Sequence, residues 1–175
     1  MSFSQDSIFL ICGLGKMGKI HKKYLDNNNI TSYWYDPHIE GGVESLANIG
    51  DLGVNHVIIS SPEVTHYDMY NTIRDTFDGK ILLEKPAVLN SDELYILSDN
   101  KLMVGMVERH NPAIECLINN MDNQKIKNID FVRRSVSTTT NKSISIYDDV
   151  AIHDIDLLYY IRDGHDNLKS ADRSF

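Results

Sequence analysis

The stretch DDVAIHDIDLLYYI, residues 148–161, gathers four aspartates around one histidine on a segment with helical apolar spacing. Residues four apart share a face of an α-helix, so Asp149 lies beside His153, with Asp156 and Tyr160 continuing the stripe. Val150, Leu157 and Ile161 form one apolar line, and Ala151, Ile155 and Leu158 another, both suited to packing inward. A neutral imidazole takes a proton from a hydroxyl, a contribution of about 10²–10⁴-fold to rate. A carboxylate beside it fixes the ring and stabilises the imidazolium that forms. The same residues also suit a structural role: acids are stabilised in a helix's first turn, and an Asp–His pair one turn apart can be a helix-stabilising contact only.

A second reactive side chain is Lys85, in ILLEKPAVL, where Glu84, Lys85 and Pro86 end a predicted buried strand. Ligands of parallel α/β sheets bind outside the carboxyl ends of the strands, which would aim this lysine into the ligand crevice. An ammonium near a reacting oxygen favours alkoxide character. Considered alone, the pattern equally fits a lysine snorkelling from a strand end before a terminating proline.

The third cluster is ICGLGKMGKIH, with Gly13, Gly15 and Gly18 in GxGxxG spacing between a predicted strand and a predicted helix. The first glycine permits a tight turn, the second lets backbone approach a pyrophosphate, and the third lets helix and strand pack closely. The helix start, with Lys16 and Met17 in its first turn, offers N–H groups and a favourable dipole to an anion. Asp36 follows Gly18 by 18 residues, at the end of the second predicted strand, where a carboxylate accepts from the adenosine ribose hydroxyls. Strand, helix and acid together predict dinucleotide binding, where three glycines alone would be an ordinary turn. A carboxylate repels a 2′-phosphate, and DPHIEGG brings no Arg or Lys, so NAD is favoured over NADP. Cys12 reads as a small buried residue.

The elements that must position these groups alternate as expected of βαβ units around a parallel sheet. Strands are predicted in SIFLICG, TSYWYD, VNHVIISS, KILLEK and KLMVGMVE. Helices are predicted in KMGKIHKKYLDNN, GGVESLANI, EVTHYDMYNTIRDTF and, opened by a Ser91 cap, SDELYILSDN. Beyond them NPAIECLINNM reads as a helix begun by Pro112, KIKNIDFVRRSVSTT as a long alternating strand, and the tail DNLKSADRSF as one more short strand. The predicted class is α/β: a doubly wound parallel sheet over residues 1–120, and a small α+β lobe over 121–175.

A chain of 175 residues buries roughly 70% of its unfolded surface, enough for one stable core. The net charge of −8 argues against general nucleic-acid binding, which depends on neutralising phosphates. IFLIC is far short of the roughly 20 apolar residues of a membrane span, and no basic segment precedes it as in a signal peptide. Cys12 and Cys116 have neither metal-ligand nor CxxC spacing, so a reducing cytoplasm is the expected compartment and no metal site is predicted. His21, His38, His56 and His165 carry no predicted role.

GLGKMG, SSPEVTH, EKP, VGMVERHNPA and DDVAIHDIDLL occur in the order and rough spacing of one family, from about Ile8 to Asp163. The sequence resembles the glucose–fructose oxidoreductase/inositol dehydrogenase (Gfo/Idh/MocA) family, and in its last two motifs the nucleotide-sugar branch, such as UDP-N-acetylglucosamine 3-dehydrogenases. The resemblance implies a Rossmann-type fold and hydride transfer between NAD and a hydroxyl carbon of a sugar, polyol or nucleotide sugar. It implies that Lys85 hydrogen-bonds the reacting hydroxyl, that His153 handles its proton, and that Asp149 supports the histidine. Ser60, Ser61, Pro62, His66 and Glu84 would lie along the cofactor, and Arg109 and Asn111 near nicotinamide and substrate. Either Arg133 or Arg134, alternating on the predicted strand, could meet a substrate phosphate while the other faces solvent; Arg133 is the candidate. His110 stands where the family carries an aromatic residue.

Relatives continue after the histidine helix with an open β-sheet that walls the substrate pocket, and little of this chain remains to build one. Three readings are compatible with that: a compact enzyme completed by homo-oligomerisation, an NAD-binding module acting as sensor or partner without turnover, and a truncated product with impaired function. Retention of Lys85, Asp149 and His153 favours the enzyme.

Overall fold

The structure is a computed structural model that describes residues 6–47, 49–121, 126, 128–134 and 145–162. The chain divides into two compact units that meet in sequence at Gly105 and Met106.

The first unit is a five-stranded parallel sheet. Its strands are β1 (Ile8–Cys12), β2 (Thr31–Tyr35), β3 (His56–Ile59), β4 (Lys80–Leu83) and β5 (Leu102–Val104), in the order β2-β1-β3-β4-β5. Helix α1 (Lys16–Asn27) links β1 to β2, and α2 (His66–Arg74) lies between β3 and β4. The central strands β1, β3 and β4 read as near-continuous apolar runs because both faces are covered. Leu10, Cys12, Val57, Ile59, Ile81 and Leu83 pack on one face with Tyr70 and Ile73 of α2. Phe9, Ile11 and Ile58 pack on the other with Leu25 of α1. Helices on opposite faces make the sheet doubly wound, as predicted. The strand order reverses beside β1, so the switch-point crevice lies at the carboxyl ends of β1 and β3.

Two predicted helices of this unit take other forms. Residues 41–47 form turns, bends and irregular chain with no helix. Gly42 lies so close to Trp34 that a Cβ would meet its carbonyl oxygen at 2.5 Å, and the Val43 N–H is donated to that oxygen instead of to a helical ladder. Ser91–Ser98 is a 3₁₀ segment preceded by Asn90, and no side-chain cap opens it, contrary to the Ser91 expectation. Only Ile96 is buried while Leu94, Tyr95 and Leu97 remain exposed, so no i,i+4 apolar stripe holds an α-helix to the sheet.

In the second unit, α3 (Pro112–Asn119) begins at Pro112 as predicted, with Asn111 accepting from the Ala113 N–H at its start. The histidine segment begins as a π-helical turn, Tyr147–Ala151, and continues as α4 (Ile152–Arg162). The long strand predicted over residues 125–139 is absent where described: Ile126 and residues 128–134 form no strand, and among the described residues of this unit no second strand offers a ladder. The strand predicted over 166–175 lies outside the described residues.

Candidate active site

Three loops meet at the carboxyl ends of β1, β2 and β3. Gly13, with φ +94°, turns the chain out of β1, and its N–H donates to Tyr35 O at 2.8 Å. A Cβ on Gly13 would fall 2.6 Å from the Ser61 backbone, and one on Gly18 would fall 1.9 Å from Gly13 O. Both glycines are therefore required by packing alone. Gly15 differs: nothing lies within 4 Å of where its Cβ would be. Its bare backbone faces open space at the start of α1, where the first N–H groups, among them those of Lys16, Met17 and Gly18, have no intrahelical partner. No acid occupies that first turn.

Asp36 ends β2 and closes over this loop. Oδ2 accepts from the Leu14 N–H at 2.8 Å and Oδ1 from the His38 N–H at 2.9 Å. Burial pushes this carboxyl up, but the two N–H donors and the charges of His38 and Lys19 outweigh it and hold its pKa below the usual value. Each oxygen retains a lone pair for a further donor. On the β3 side, the buried Ser60 hydroxyl donates to Gly13 O at 2.9 Å. Ser61 accepts at Oγ from the Thr65 hydroxyl at 2.8 Å, and Pro62 is exposed. An open helix start, a glycine without clashes and a carboxylate with spare lone pairs fit the pyrophosphate and ribose of a dinucleotide.

Beyond β4, Glu84 is buried and Lys85 half-buried, and the Lys85–Pro86 bond is cis. Glu84 Oε1 lies 2.7 Å from Nε2 of His21, on α1. His66, assigned to the cofactor loop by the sequence, is 2% exposed, with Nδ1 2.7 Å from Pro86 O and Nε2 2.9 Å from Ser61 O. The role of His21 was missed, because Glu84 is 63 positions away and nothing local to either residue announces the pair.

The second unit carries Asp149 in the π turn and His153 on α4, both half-buried. The π turn replaces the regular i,i+4 register on which their pairing was reasoned. The acids after the histidine are matched by arginines. Arg109 donates through Nε to Asp156 Oδ2 at 2.8 Å and through Nη2 to Oδ1, and it stands 5.4 Å from the Tyr160 ring. Arg133 donates to Asp154 at 2.7 Å and to Glu108 at 3.3 Å. The residues proposed for substrate thus hold α4: Arg109 and Arg133 through its acids, while Asn111 caps α3 and donates to Glu108 at 3.3 Å. Glu108, also missed, carries a carboxyl whose pKa is lowered by the Asn111 hydrogen bond, then, against the effect of burial, by the Arg133 hydrogen bond and the charges of Arg133 and His153. Of the two apolar lines, Leu157 and Ile161 are buried, whereas Ile155 and Leu158 are exposed.

Among the described residues no three His, Cys, Asp or Glu side chains gather as a metal site, and no helix is long and apolar enough to cross a membrane. No protein-family profile matches the sequence, and a search of curated proteins finds no match. Solved structures do match. UDP-N-acetylglucosamine 3-dehydrogenase GnnA from Acidithiobacillus ferrooxidans superposes with a TM-score of 0.54 at 21% identity, over 63% of this chain and 41% of that one. Myo-inositol dehydrogenase from Lactobacillus casei, in complex with NAD(H) and myo-inositol, gives 0.61 at 18%, over 90% and 54%. The WlbA dehydrogenase from Thermus thermophilus, in complex with NAD and UDP-GlcNAcA, gives 0.64 at 18%, over 89% and 62%. The chain spans between 41% and 62% of the length of these three proteins. They are of the oxidoreductase type that the Gfo/Idh/MocA resemblance anticipates, and at such identities what they establish is the fold: a Rossmann-like α/β unit shared with sugar and nucleotide-sugar dehydrogenases.

Proposed function

We propose that this chain is an NAD-dependent oxidoreductase of the Gfo/Idh/MocA type, transferring a hydride between nicotinamide and a hydroxyl carbon of a sugar, polyol or nucleotide sugar, with a UDP-sugar favoured. The observation that carries the reading is the convergence of the Gly13–Gly18 loop, Asp36, Ser60, Ser61 and Lys85 at the carboxyl ends of four adjacent parallel strands. The dinucleotide, when bound, supplies the redox chemistry. The start of α1 and Gly15 receive its pyrophosphate, and Asp36 accepts from the ribose hydroxyls. Lys85 donates to the reacting hydroxyl and favours its alkoxide character. His153 takes the proton as the alcohol is oxidised, and Asp149 supports the imidazolium. In this reading the protein works in the cytoplasm as a homo-oligomer.

The test is incubation of the purified protein with NAD and a panel of UDP-sugars, inositols and free hexoses, followed by NADH absorbance. Turnover of one member is expected, lost in Lys85→Ala and His153→Ala while NAD binding persists. NAD binding without turnover of any member would replace the enzyme by a cofactor-binding module.

A further inference from the structure

We infer that Lys85 is positioned by two histidines, His21 and His66, each of which holds one of its immediate neighbours in the chain; the inference rests on the reading of Lys85 as the residue that meets the hydroxyl. A lysine amine ends a flexible four-carbon stem, so its reach is set by how firmly its root is held. On the N-terminal side the root is Glu84. Its N–H donates to Ile59 O at 2.9 Å, and its side chain is 10% exposed, so the carboxylate needs a partner. His21 of α1 supplies the N–H, at 2.7 Å. Gly105 leaves room for the same carboxylate, since a Cβ there would come within 3.3 Å of Oε2.

On the C-terminal side the root is Pro86, which has no N–H and offers only its carbonyl as a backbone handle. His66 meets that carbonyl with Nδ1 and the Ser61 carbonyl with Nε2. Carbonyl oxygens only accept, so a ring N–H is the donor wherever His66 bonds one of them. With a carbonyl within hydrogen-bond distance of each nitrogen and the ring buried, His66 bridges the residue after Lys85 and the loop beside Gly13. His21 thus reaches the lysine side from α1, past the helix start, whereas His66 joins that side to the Ser61 loop.

The two histidines are separable by substitution. His21→Ala should lower kcat by about ten- to a hundredfold, the scale of a misplacement near 1 Å, and leave NAD affinity within about twofold. His21→Gln, which keeps an amide N–H near the Nε2 position, should restore most of it. His66→Asn retains the Pro86 link and should mainly weaken NAD; His66→Gln retains the Ser61 link and should mainly lower kcat. A readout without turnover is the ¹³C resonance of Lys85 after reductive methylation, assigned with Lys85→Arg. It should move in His21→Ala and His66→Gln, and stay put in His21→Gln and in His56→Gln at the opposite end of β3. Should either histidine variant fail to fold, Glu84→Gln removes the carboxylate from the same clamp and should move the resonance likewise. Wild-type kcat and an unmoved resonance in His21→Ala would overturn the clamp and leave the proposed function standing. A wild-type protein that neither binds NAD nor turns over would overturn the proposed function, while the Lys85 resonance would still decide the clamp.

Discussion

Alanine at Gly15 and alanine at Gly18 should have opposite consequences, because the two glycines are bare for different reasons. At Gly18 a Cβ would stand 1.9 Å from Gly13 O, 2.9 Å from Gly13 C and 3.0 Å from Ser60 Oγ. Ordinary carbon contacts begin near about 3.5 Å, so α1 must move by roughly 1.5 Å against backbone that β2 and β3 also hold. Overpacking of this kind costs about 1–3 kcal/mol, and a rigid backbone neighbour places Gly18→Ala at the upper end, about 3 kcal/mol. For 175 residues that lowers Tm by roughly 6–12 °C. At Gly15 nothing lies within 4 Å, and its φ of −64° suits any residue. The cost of Gly15→Ala is the lost N-cap preference, under about 1 kcal/mol. Its methyl, however, stands over the helix start that a pyrophosphate must approach, and NAD should weaken at least about tenfold, or 1.4 kcal/mol. Thermal melts and NAD titrations of the two variants read these effects separately. Wild-type NAD affinity in Gly15→Ala would reduce the loop to an ordinary strand-to-helix turn. A wild-type melt of Gly18→Ala would refute the packing argument itself.

Asp36→Ala should weaken NAD more than NADP, because the carboxylate that accepts from a ribose and repels a 2′-phosphate is gone; an unchanged preference in paired titrations removes the argument for NAD. Tyr70 is fully buried and its hydroxyl donates to Asp99 Oδ2, so Tyr70→Phe should cost about 1.5–3 kcal/mol in denaturant unfolding. The same pair sets two pH limbs. Burial, then the Asp99 contact, pushes the Tyr70 pKa up from 10.0 to about 12, so its contribution is complete below pH 10 and is lost as pH rises through about 12. For Asp99, burial opposes but the Tyr70 and Lys101 hydrogen bonds prevail, lowering its pKa from 3.8; its contribution is present above that value and lost as pH falls through the folded one. Melts across pH should show both limbs flattened in Tyr70→Phe. Burial raises the Cys12 thiol to about 12, whereas Cys116 is exposed, so iodoacetamide at neutral pH should label Cys116 alone, as read by peptide mass spectrometry.

The sheet was legible in the sequence because its central strands β1, β3 and β4 are short apolar runs covered on both faces, and alternation along β1 and β3 assigns residues to one face or the other. The glycine loop and Asp36 were legible because their constraints are local: a positive φ, a close helix contact, an acid at the next strand end. What escaped was set by partners distant in sequence. The acids of residues 148–161 look like one functional stripe, yet Asp154 and Asp156 are matched by Arg133 and Arg109, which the sequence assigned to substrate. Helical periodicity could not show that a π turn opens this segment, nor that Leu157 and Ile161 bury while Ile155 and Leu158 do not. His21 carried no signal because its partner Glu84 comes from another strand end. The 41–49 helix failed because Gly42 and Val43 are taken by Trp34 at the sheet edge.

Trp34 also supplies the most direct test. It is the chain's only tryptophan and stands two residues before Asp36, on the strand that would border the adenosine. Titrating NADH while exciting Trp34 should give saturable quenching with energy transfer to the nicotinamide, competed by NAD and shifted to at least about tenfold higher NADH in Gly15→Ala. Emission that falls only linearly with added NADH, with no saturation and no competition, would contradict the dinucleotide site on which the account rests.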